Sequence, residues 1–356
     1  MNIESEPFFG PVEAADERPL LIVPYNWIGD FVRGHTVVRV AKQRWPNRPI
    51  DILTTPLCAP LLDYMPGVRK GIIHDLPRSR LALGRQGRLA AMLRAEQYGT
   101  ALIMPRTWKS ALAPALAGIP ERVGFVGEVR FGLVNRWRWG ERALPRLIDK
   151  NAMLALPAAA ARPARWPVPQ LQVPADEIRA WQHKNGLSRE RLVMLAPGSV
   201  GAHKRWPGYA ELARALAAEG VTVGVVGGPG ETEAAREIVA AGGSNVHDLT
   251  GSDLRQAVLA IAAANLAVSN DSGLMHVAAA TGTPTIGIFG PTSPWHWAPL
   301  NPLAAAVQPA ALRGTEMPYH SIAARDDDSY IRSIPVDDVL EAVQSVLARG
   351  NQQSAS

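Results

Sequence analysis

The sequence predicts an α/β protein made of two doubly wound, Rossmann-like domains in tandem. Short apolar runs alternate with amphipathic stretches from residue 20 onward, stop across a proline- and alanine-rich segment at 156–174, and then resume with the same rhythm. A chain of 356 residues, 47% apolar and 19% charged, also suits two cores of ordinary size better than one. The expected domains are residues 1–165 and 166–356.

In the first half, the apolar run Leu20–Tyr25 reads as a buried strand, and Asp30–Arg44 as a helix entered through a carboxylate, which the helix dipole favours. Ile50–Thr54 is a second strand, Arg85–Tyr98 a helix and Ala101–Met104 a third strand. Leu156–Pro174 breaks the pattern and reads as an interdomain linker. Beyond it come strand Leu192–Ala196, helix Gly208–Glu219, strand Thr222–Val226, helices Glu231–Ala241 and Ser252–Ala264, strand Leu266–Ser269, helix Leu274–Thr281 and strand Thr285–Phe289. Val336–Ala348 is a terminal amphipathic helix able to pack on either domain. No short-period repeat is present, which argues against solenoids and propellers.

Composition narrows the function classes. No run of about 18 apolar residues exists, and the first twenty residues are acidic rather than a basic segment followed by an apolar one, so a cytoplasmic protein is expected. A single cysteine, Cys58, excludes an intrachain disulfide and a Cys-rich metal site. No His/Asp/Glu cluster has metal-ligand spacing, and no Gly-x-Ser-x-Gly elbow occurs. A nicotinamide-dependent oxidoreductase is disfavoured because no GxGxxG follows Leu20–Tyr25. Charge is divided unevenly: residues 1–165 hold 24 Lys/Arg against 14 Asp/Glu, and residues 166–356 hold 13 against 18. A basic, arginine-dominated first half suits an anionic acceptor, a membrane surface or nucleic acid.

An open parallel sheet binds ligands beyond the carboxyl ends of its strands, so the loops there are the place to look for chemistry. Asn26-Trp27-Ile28-Gly29-Asp30 follows the first strand, and Asp30 is either a helix cap or a general base. Pro105-Arg106-Thr107-Trp108-Lys109-Ser110 sets two cations at a helix start, against the dipole, which suits gripping an anion. Pro197–Pro207 offers small residues, Ser199 among them, and Lys204 as a point charge for phosphate. Gly227–Glu233 carries Glu231 and Glu233, which read as ribose contacts or as ordinary helix-start acids. Ser269–Met275 is a polar turn between a buried strand and an apolar helix. There Asp271 would orient a sugar hydroxyl, and Ser272 with the N–H groups of Gly273, Leu274 and Met275 would take a diphosphate; the alternative is simple capping by Asn270 and Asp271, with His276 a satisfied core residue. Leu76–Tyr98 interleaves arginines with Leu81, Leu83, Leu89, Met92 and Leu93, a pattern equally suited to lying on an anionic surface or packing on the core.

Together, Trp27-Ile28-Gly29-Asp30, Lys109-Ser110-Ala111-Leu112, Lys204-Arg205-Trp206-Pro207 and Asn270-Asp271-Ser272-Gly273-Leu274-Met275-His276 resemble the ADP-heptose:lipopolysaccharide heptosyltransferases, family 9 of the glycosyltransferases. Arg122-Val123-Gly124-Phe125 and Gly127–Asn135 are most similar to the type II branch of that family. The resemblance runs in order over about residues 20–300. It implies a GT-B architecture, two Rossmann-like domains facing each other across a cleft, and an inverting transfer needing neither metal nor cofactor. By matching motifs it implies Asp30 as catalytic base, Lys204 on the diphosphate and Asp271 on the sugar, with Ser272, Gly273 and Leu274 around the diphosphate. The Gly228–Glu233 loop and the region near Gly251 and Ser252 would contact adenosine, and Lys109 and Arg122 the acceptor, which Arg106, in the same loop as Lys109, would also grip by its charge. The implied donor is ADP-heptose and the implied acceptor is the heptosyl-Kdo-lipid A inner core. The basic half would then serve acceptor and membrane, at the cytoplasmic face of the inner membrane, rather than nucleic acid. The chain departs from many relatives at Gly314–Arg332, which lacks cysteine and carries Tyr319-His320 and Asp326-Asp327-Asp328.

Overall fold

The computed structural model describes residues 9–10, 16–77, 81–187, 191–314 and 327–354; Arg78, Arg80, Tyr319, His320 and Asp326 lie outside them. The chain divides into two compact units, residues 1–169 and 170–356.

In the first unit β1 (Leu20–Val23), α1 (Ile28–Arg44), β2 (Ile50–Thr54) and β3 (Lys70–Ile73) are followed by α2 (Leu83–Ala95), β4 (Thr100–Ile103), α3 (Trp108–Leu116), β5 (Glu121–Phe125), β6 (Arg136–Arg138) and α4 (Leu147–Met153). The strands pair in parallel in the order β3-β2-β1-β4-β5-β6. The central strands β1 and β4 are wholly buried, as their unbroken apolar runs require in a sheet covered on both faces. Each buried Leu or Ile there contributes about 2 kcal/mol of transfer free energy.

Helix α1 is buried continuously from Phe31 to Val38. Its outer side is covered by the proline-rich segment: Thr36 Oγ1 donates to the Pro167 carbonyl at 2.9 Å and Arg39 Nη1 to that of Val168 at 2.7 Å. Trp166 Nε1 donates to Asp149 of α4 at 2.8 Å. Residues 166–168 are therefore an ordered wall of the first unit rather than free spacer, and the chain leaves that unit only at Pro169.

Near the start of the second unit the Leu171 N–H donates to the Ala280 carbonyl at 2.7 Å. The unit comprises α5 (Ala175–Asn185), β7 (Leu192–Ala196), α6 (Tyr209–Ala218), β8 (Thr222–Val225), α7 (Thr232–Gly242), β9 (Val246–Asp248), α8 (Leu254–Ala263), β10 (Leu266–Asn270), α9 (Gly273–Ala280), β11 (Thr285–Ile288), α10 (Pro294–Trp297), β12 (Ala305–Val307), α11 (Ser329–Arg332) and α12 (Val336–Ser354). Its strands are parallel in the order β12-β11-β10-β7-β8-β9, the same winding as the first sheet. The terminal helix, which the sequence left unassigned between the domains, packs here: Val339, Val343 and Val346 join one core with Leu212, Leu216, Val268 and Ile288. Among the described residues no helix is long and apolar enough to cross a membrane.

Candidate functional site

In each sheet the chain winds outward one way, returns to the middle, and winds outward the other way. This leaves a switch point between β1 and β4 in the first unit and between β7 and β10 in the second. Ligands of open α/β sheets bind in the crevice beyond the carboxyl ends of such strand pairs.

In the second unit the loops after β7 and β10 are stitched together across that crevice. Asn270, fully buried at the end of β10, donates through Nδ2 to the Pro197 carbonyl at 2.6 Å. Its Oδ1 accepts from the Trp206 N–H and the Tyr209 hydroxyl, each at 3.2 Å. Ser199 Oγ donates to the Asp271 carbonyl at 2.9 Å, and Lys204 Nζ to Asp271 Oδ2 at 2.6 Å. Gly201 makes the required turn with φ of 94°, where a side chain would strain the backbone. The cation and the carboxylate on either side of the switch point are thus a preformed pair, with Lys204 still partly open to solvent. The ammonium group carries three donors, so the bond to Asp271 leaves two for an anion.

Helix α9 starts beside this pair. Ser272, its N-cap residue, makes no capping bond and instead meets Ser269 Oγ at 3.1 Å. The N–H groups of Gly273, Leu274 and Met275 leave the helix at its positive end, where an anion is favoured. The Met275 and His276 side chains are buried, so of these two residues only backbone is offered to the loop. Glu231 lies against the two neighbouring glycine loops: a Cβ on Gly198 or on Gly227 would come within 2.8 Å of its side chain. The Gly251 N–H donates to the Gly227 carbonyl at 3.1 Å, joining the loop after β9 to that after β8. Glu233 and Ser252 are exposed at the outer part of the row.

In the first unit the switch point opens into a cavity of about 750 Å³. Its wall includes Tyr25, Asn26 and Trp27 after β1, His74 after β3, Gln86 on α2, and Arg106, Trp108 and Lys109 after β4. Asp30 is half-buried in the first turn of α1, just beyond the wall residues Tyr25–Trp27. Burial, and next the negative charge of Asp30, push the Tyr25 phenol up to about 12. Arg106 Nε lies 2.9 Å from Glu141 Oε2, and Glu128 Oε2 accepts the Trp108 N–H at 3.2 Å, so an acid offsets the cations at the start of α3.

Arg122, expected on the acceptor, has another occupation. Its Nε, Nη1 and Nη2 donate to the carbonyls of Leu133, Ile119 and Gly132 at 2.7, 2.5 and 3.1 Å. Nε and Nη2 brace the loop from β5 to β6 and Nη1 the turn between α3 and β5, and Arg122 is absent from the cavity wall. Arg130 is fully buried and clamps the same region, donating through Nη1 to the Pro105 carbonyl at 2.8 Å. Gly124 makes room for it, since a Cβ there would lie 2.9 Å from Arg130 Nη2. Helix α2 presents Gln86, Leu89, Ala90 and Leu93 to the interior and leaves Leu83 and Met92 exposed. Gln86 is a position the sequence did not single out, and Asn270, read there as a helix cap, instead braces the loops after β7 and β10. The available signal for Gln86 was a polar residue on an i, i+3, i+4, i+7 apolar stripe.

Residues 86–318 match glycosyltransferase family 9 (heptosyltransferase). The chain is similar to the lipopolysaccharide heptosyltransferase 2 of Salmonella typhimurium, at 37% identity over 92% of this chain and 98% of the relative. It is also similar to the Escherichia coli K12 protein of the same name, at 37% identity over 81% and 87% of the two chains. The solved structure of E. coli ADP-heptose lps heptosyltransferase II superposes with a TM-score of 0.82 and 33% identity, covering 94% of this chain and 99% of that one. A family 9 glycosyl transferase from Veillonella parvula shares the fold, with a TM-score of 0.81 at 16% identity.

Proposed function

The chain belongs to glycosyltransferase family 9, the heptosyltransferases, and from that premise we propose the donor, the acceptor and the residues of its reaction. It is a glycosyltransferase that moves a heptose onto the lipopolysaccharide inner core. The donor is ADP-L-glycero-D-manno-heptose and the acceptor a hydroxyl of the first inner-core heptose. The second unit holds the donor, with its diphosphate on Lys204 and the start of α9 and its adenosine along the loops that carry Glu231 and Ser252. The first unit holds the acceptor, with Arg106 and Lys109 taking its anionic groups.

Asp30 removes the proton from the acceptor hydroxyl as that oxygen attacks the anomeric carbon from the face opposite ADP. The bond from the anomeric carbon to the diphosphate oxygen breaks, and configuration inverts. Negative charge grows on the leaving diphosphate, where Lys204 and the helix N-terminus stabilise it without reorganising. The observation that carries this reading is the Lys204–Asp271 pair, fixed across the second unit's switch point at 2.6 Å beside the open end of α9. A lipid-anchored acceptor places the work at the cytoplasmic face of the inner membrane, and the excess of Lys/Arg in residues 1–165 suits an anionic surface.

The test is ADP release from ADP-heptose, with purified inner-core acceptors ending in Kdo or in one heptose, by wild type and Asp30→Asn. Release with the one-heptose acceptor alone, lost in the variant while ADP still binds, is the expected result. Normal turnover by the variant would remove Asp30 from the mechanism, and release with the Kdo acceptor would reassign the acceptor.

A further inference from the structure

The cavity of the first unit holds a polar group that the fold leaves unsatisfied. Gln86 is 5% exposed, and its Oε1 is buried without a hydrogen-bond partner. Native structures pair nearly all such atoms, because a buried acceptor that has given up water and gained no donor destabilises the fold. This one belongs to a residue of the cavity wall. His74 lines the same cavity, and its ring state is defined by the backbone: Nδ1 accepts the Leu76 N–H at 3.1 Å. A neutral imidazole accepting at Nδ1 carries its proton on Nε2 and offers a donor there. Burial holds the ring below its ordinary value, which keeps it neutral. The backbone segments that carry the two residues are held together, since Arg85, next to Gln86, donates to the carbonyl of Asp75, next to His74, at 2.8 Å and ion-pairs with its carboxylate at 2.9 Å. Around them the wall is apolar, with Leu53, Leu76, Ala82 and Leu89.

An acceptor oxygen and a ring N–H in an apolar setting, within a cavity that also presents Arg106 and Lys109, match a neutral polyhydroxylated sugar close to an acidic group. We infer that Gln86, with His74 in the same cavity wall, is a specificity-determining contact for hydroxyls of the acceptor sugar: the terminal amide of Gln86 turns toward the cavity so that Oε1, shielded in the ligand-free chain, receives a hydroxyl hydrogen, and Nε2–H of His74 donates to a sugar oxygen. The inference rests on the acceptor reading above and names the recognition that the cations do not supply. A cationic pair holds any suitably placed anion, whereas a buried unpaired acceptor rejects a ligand that lacks the matching hydroxyl.

The experiment uses the full chain. Binding of a heptosyl-Kdo oligosaccharide is measured by calorimetry, ADP release by kinetics, and ligand-free melting by calorimetric scan, for wild type, Gln86→Leu and His74→Phe. Loss of one neutral hydrogen bond predicts an acceptor affinity, and an acceptor kcat/KM, about five- to tenfold lower in Gln86→Leu, with the donor KM unchanged. The ligand-free melting temperature should hold or rise, because leucine removes an unsatisfied polar atom; a merely structural glutamine would lower it. Wild type tested with acceptors lacking single hydroxyls should show one analogue weakened by a similar factor, and that analogue should lose nothing further against Gln86→Leu. These acceptor measurements on wild type stand even where a variant fails to fold. An unchanged acceptor affinity in Gln86→Leu, no hydroxyl-dependent step in wild type, or no oligosaccharide binding at all overturns the inference. Wild type that binds the oligosaccharide with that hydroxyl dependence but releases no ADP supports it and overturns the transfer reading instead.

Discussion

Replacing Asn270 with alanine tests whether the second unit's loops are held by one buried amide. The side chain makes three hydrogen bonds, to the Pro197 carbonyl, the Trp206 N–H and the Tyr209 hydroxyl. Tyr209 keeps a second partner, the Ala196 carbonyl at 3.3 Å, so the variant strands chiefly the Trp206 N–H and the Pro197 carbonyl. Both bonds are buried, and each unpaired buried group costs about 1–3 kcal/mol, so a loss of about 3 kcal/mol is expected. For a unit of this size that lowers the melting temperature by about 6–12 °C. Since Trp206 and Pro197 flank the segment that presents Ser199 and Lys204, the donor KM should rise as well. Scanning calorimetry with and without ADP, together with donor-dependent ADP release, reads both effects. A fall of less than 2 °C (about 0.5–1 kcal/mol) with an unchanged donor KM would refute the idea that Asn270 fixes this crevice.

Lys204→Met should lower donor kcat/KM by at least tenfold and leave acceptor binding by the first unit intact, which calorimetry with ADP and with acceptor oligosaccharide separates. Arg122→Met should destabilise the first unit by about 1–2 kcal/mol, because three carbonyls lose their donor, while acceptor KM stays within twofold; a selective rise in that KM would return Arg122 to the acceptor site. Burial pushes His35 from its ordinary 6.5 down to about 4, while Nε2 donates to the Pro66 carbonyl at 2.8 Å. The unfolded chain therefore binds the proton first: His35's contribution is complete above pH 6.5 and is lost as pH falls toward 4. Between pH 7.5 and 5.5 the urea stability should drop by about 1 kcal/mol from this group, and His35→Gln should flatten that slope.

The parts of the fold legible in the sequence are those where burial leaves no choice. The strands Leu20–Val23, Thr100–Ile103, Leu192–Ala196 and Leu266–Asn270 lie at the centres of their sheets with every residue buried, so apart from the hydrogen-bonded Asn270 their composition is apolar or small. The alternation missed the four outer strands β3, β6, β9 and β12, and also the inner strand β5 (Glu121–Phe125), whose two polar, half-buried first residues hide it. Lys70–Ile73 is half exposed, Arg136–Arg138 alternates cation and indole, and Val246–Asp248 ends on an exposed acid. A short edge strand with one solvated side carries no periodic signal that distinguishes it from a loop. The identical winding of the two sheets left no trace as a repeat either, because strand order is set by which faces must be covered and many side chains satisfy that demand.

At the site, legibility followed charge rather than contact. Lys204, Asp271 and Lys109 stood out because an ionised group after a buried strand is conspicuous in a sequence, and the structure sets the first two 2.6 Å apart and the third in a cavity wall. Charge alone misled at Arg122, since a guanidinium that braces carbonyls reads the same along the chain as one that waits for an anion. What distinguishes them is whether the donors are already spent, and that is a property of the loop Leu133–Asn135 returning onto β5, which no local pattern encodes. The inverse holds for Asn270 and Gln86. Both are neutral amides in buried surroundings, one with every polar atom matched across three segments and the other with an acceptor left over. The matched amide makes the donor loops rigid, and rigidity at that end is what lets a single lysine act on a developing charge without reorganisation. The unmatched amide costs the ligand-free fold stability, and a ligand that supplies the missing donor recovers it, so the same physics that makes one residue a brace makes the other a recognition group.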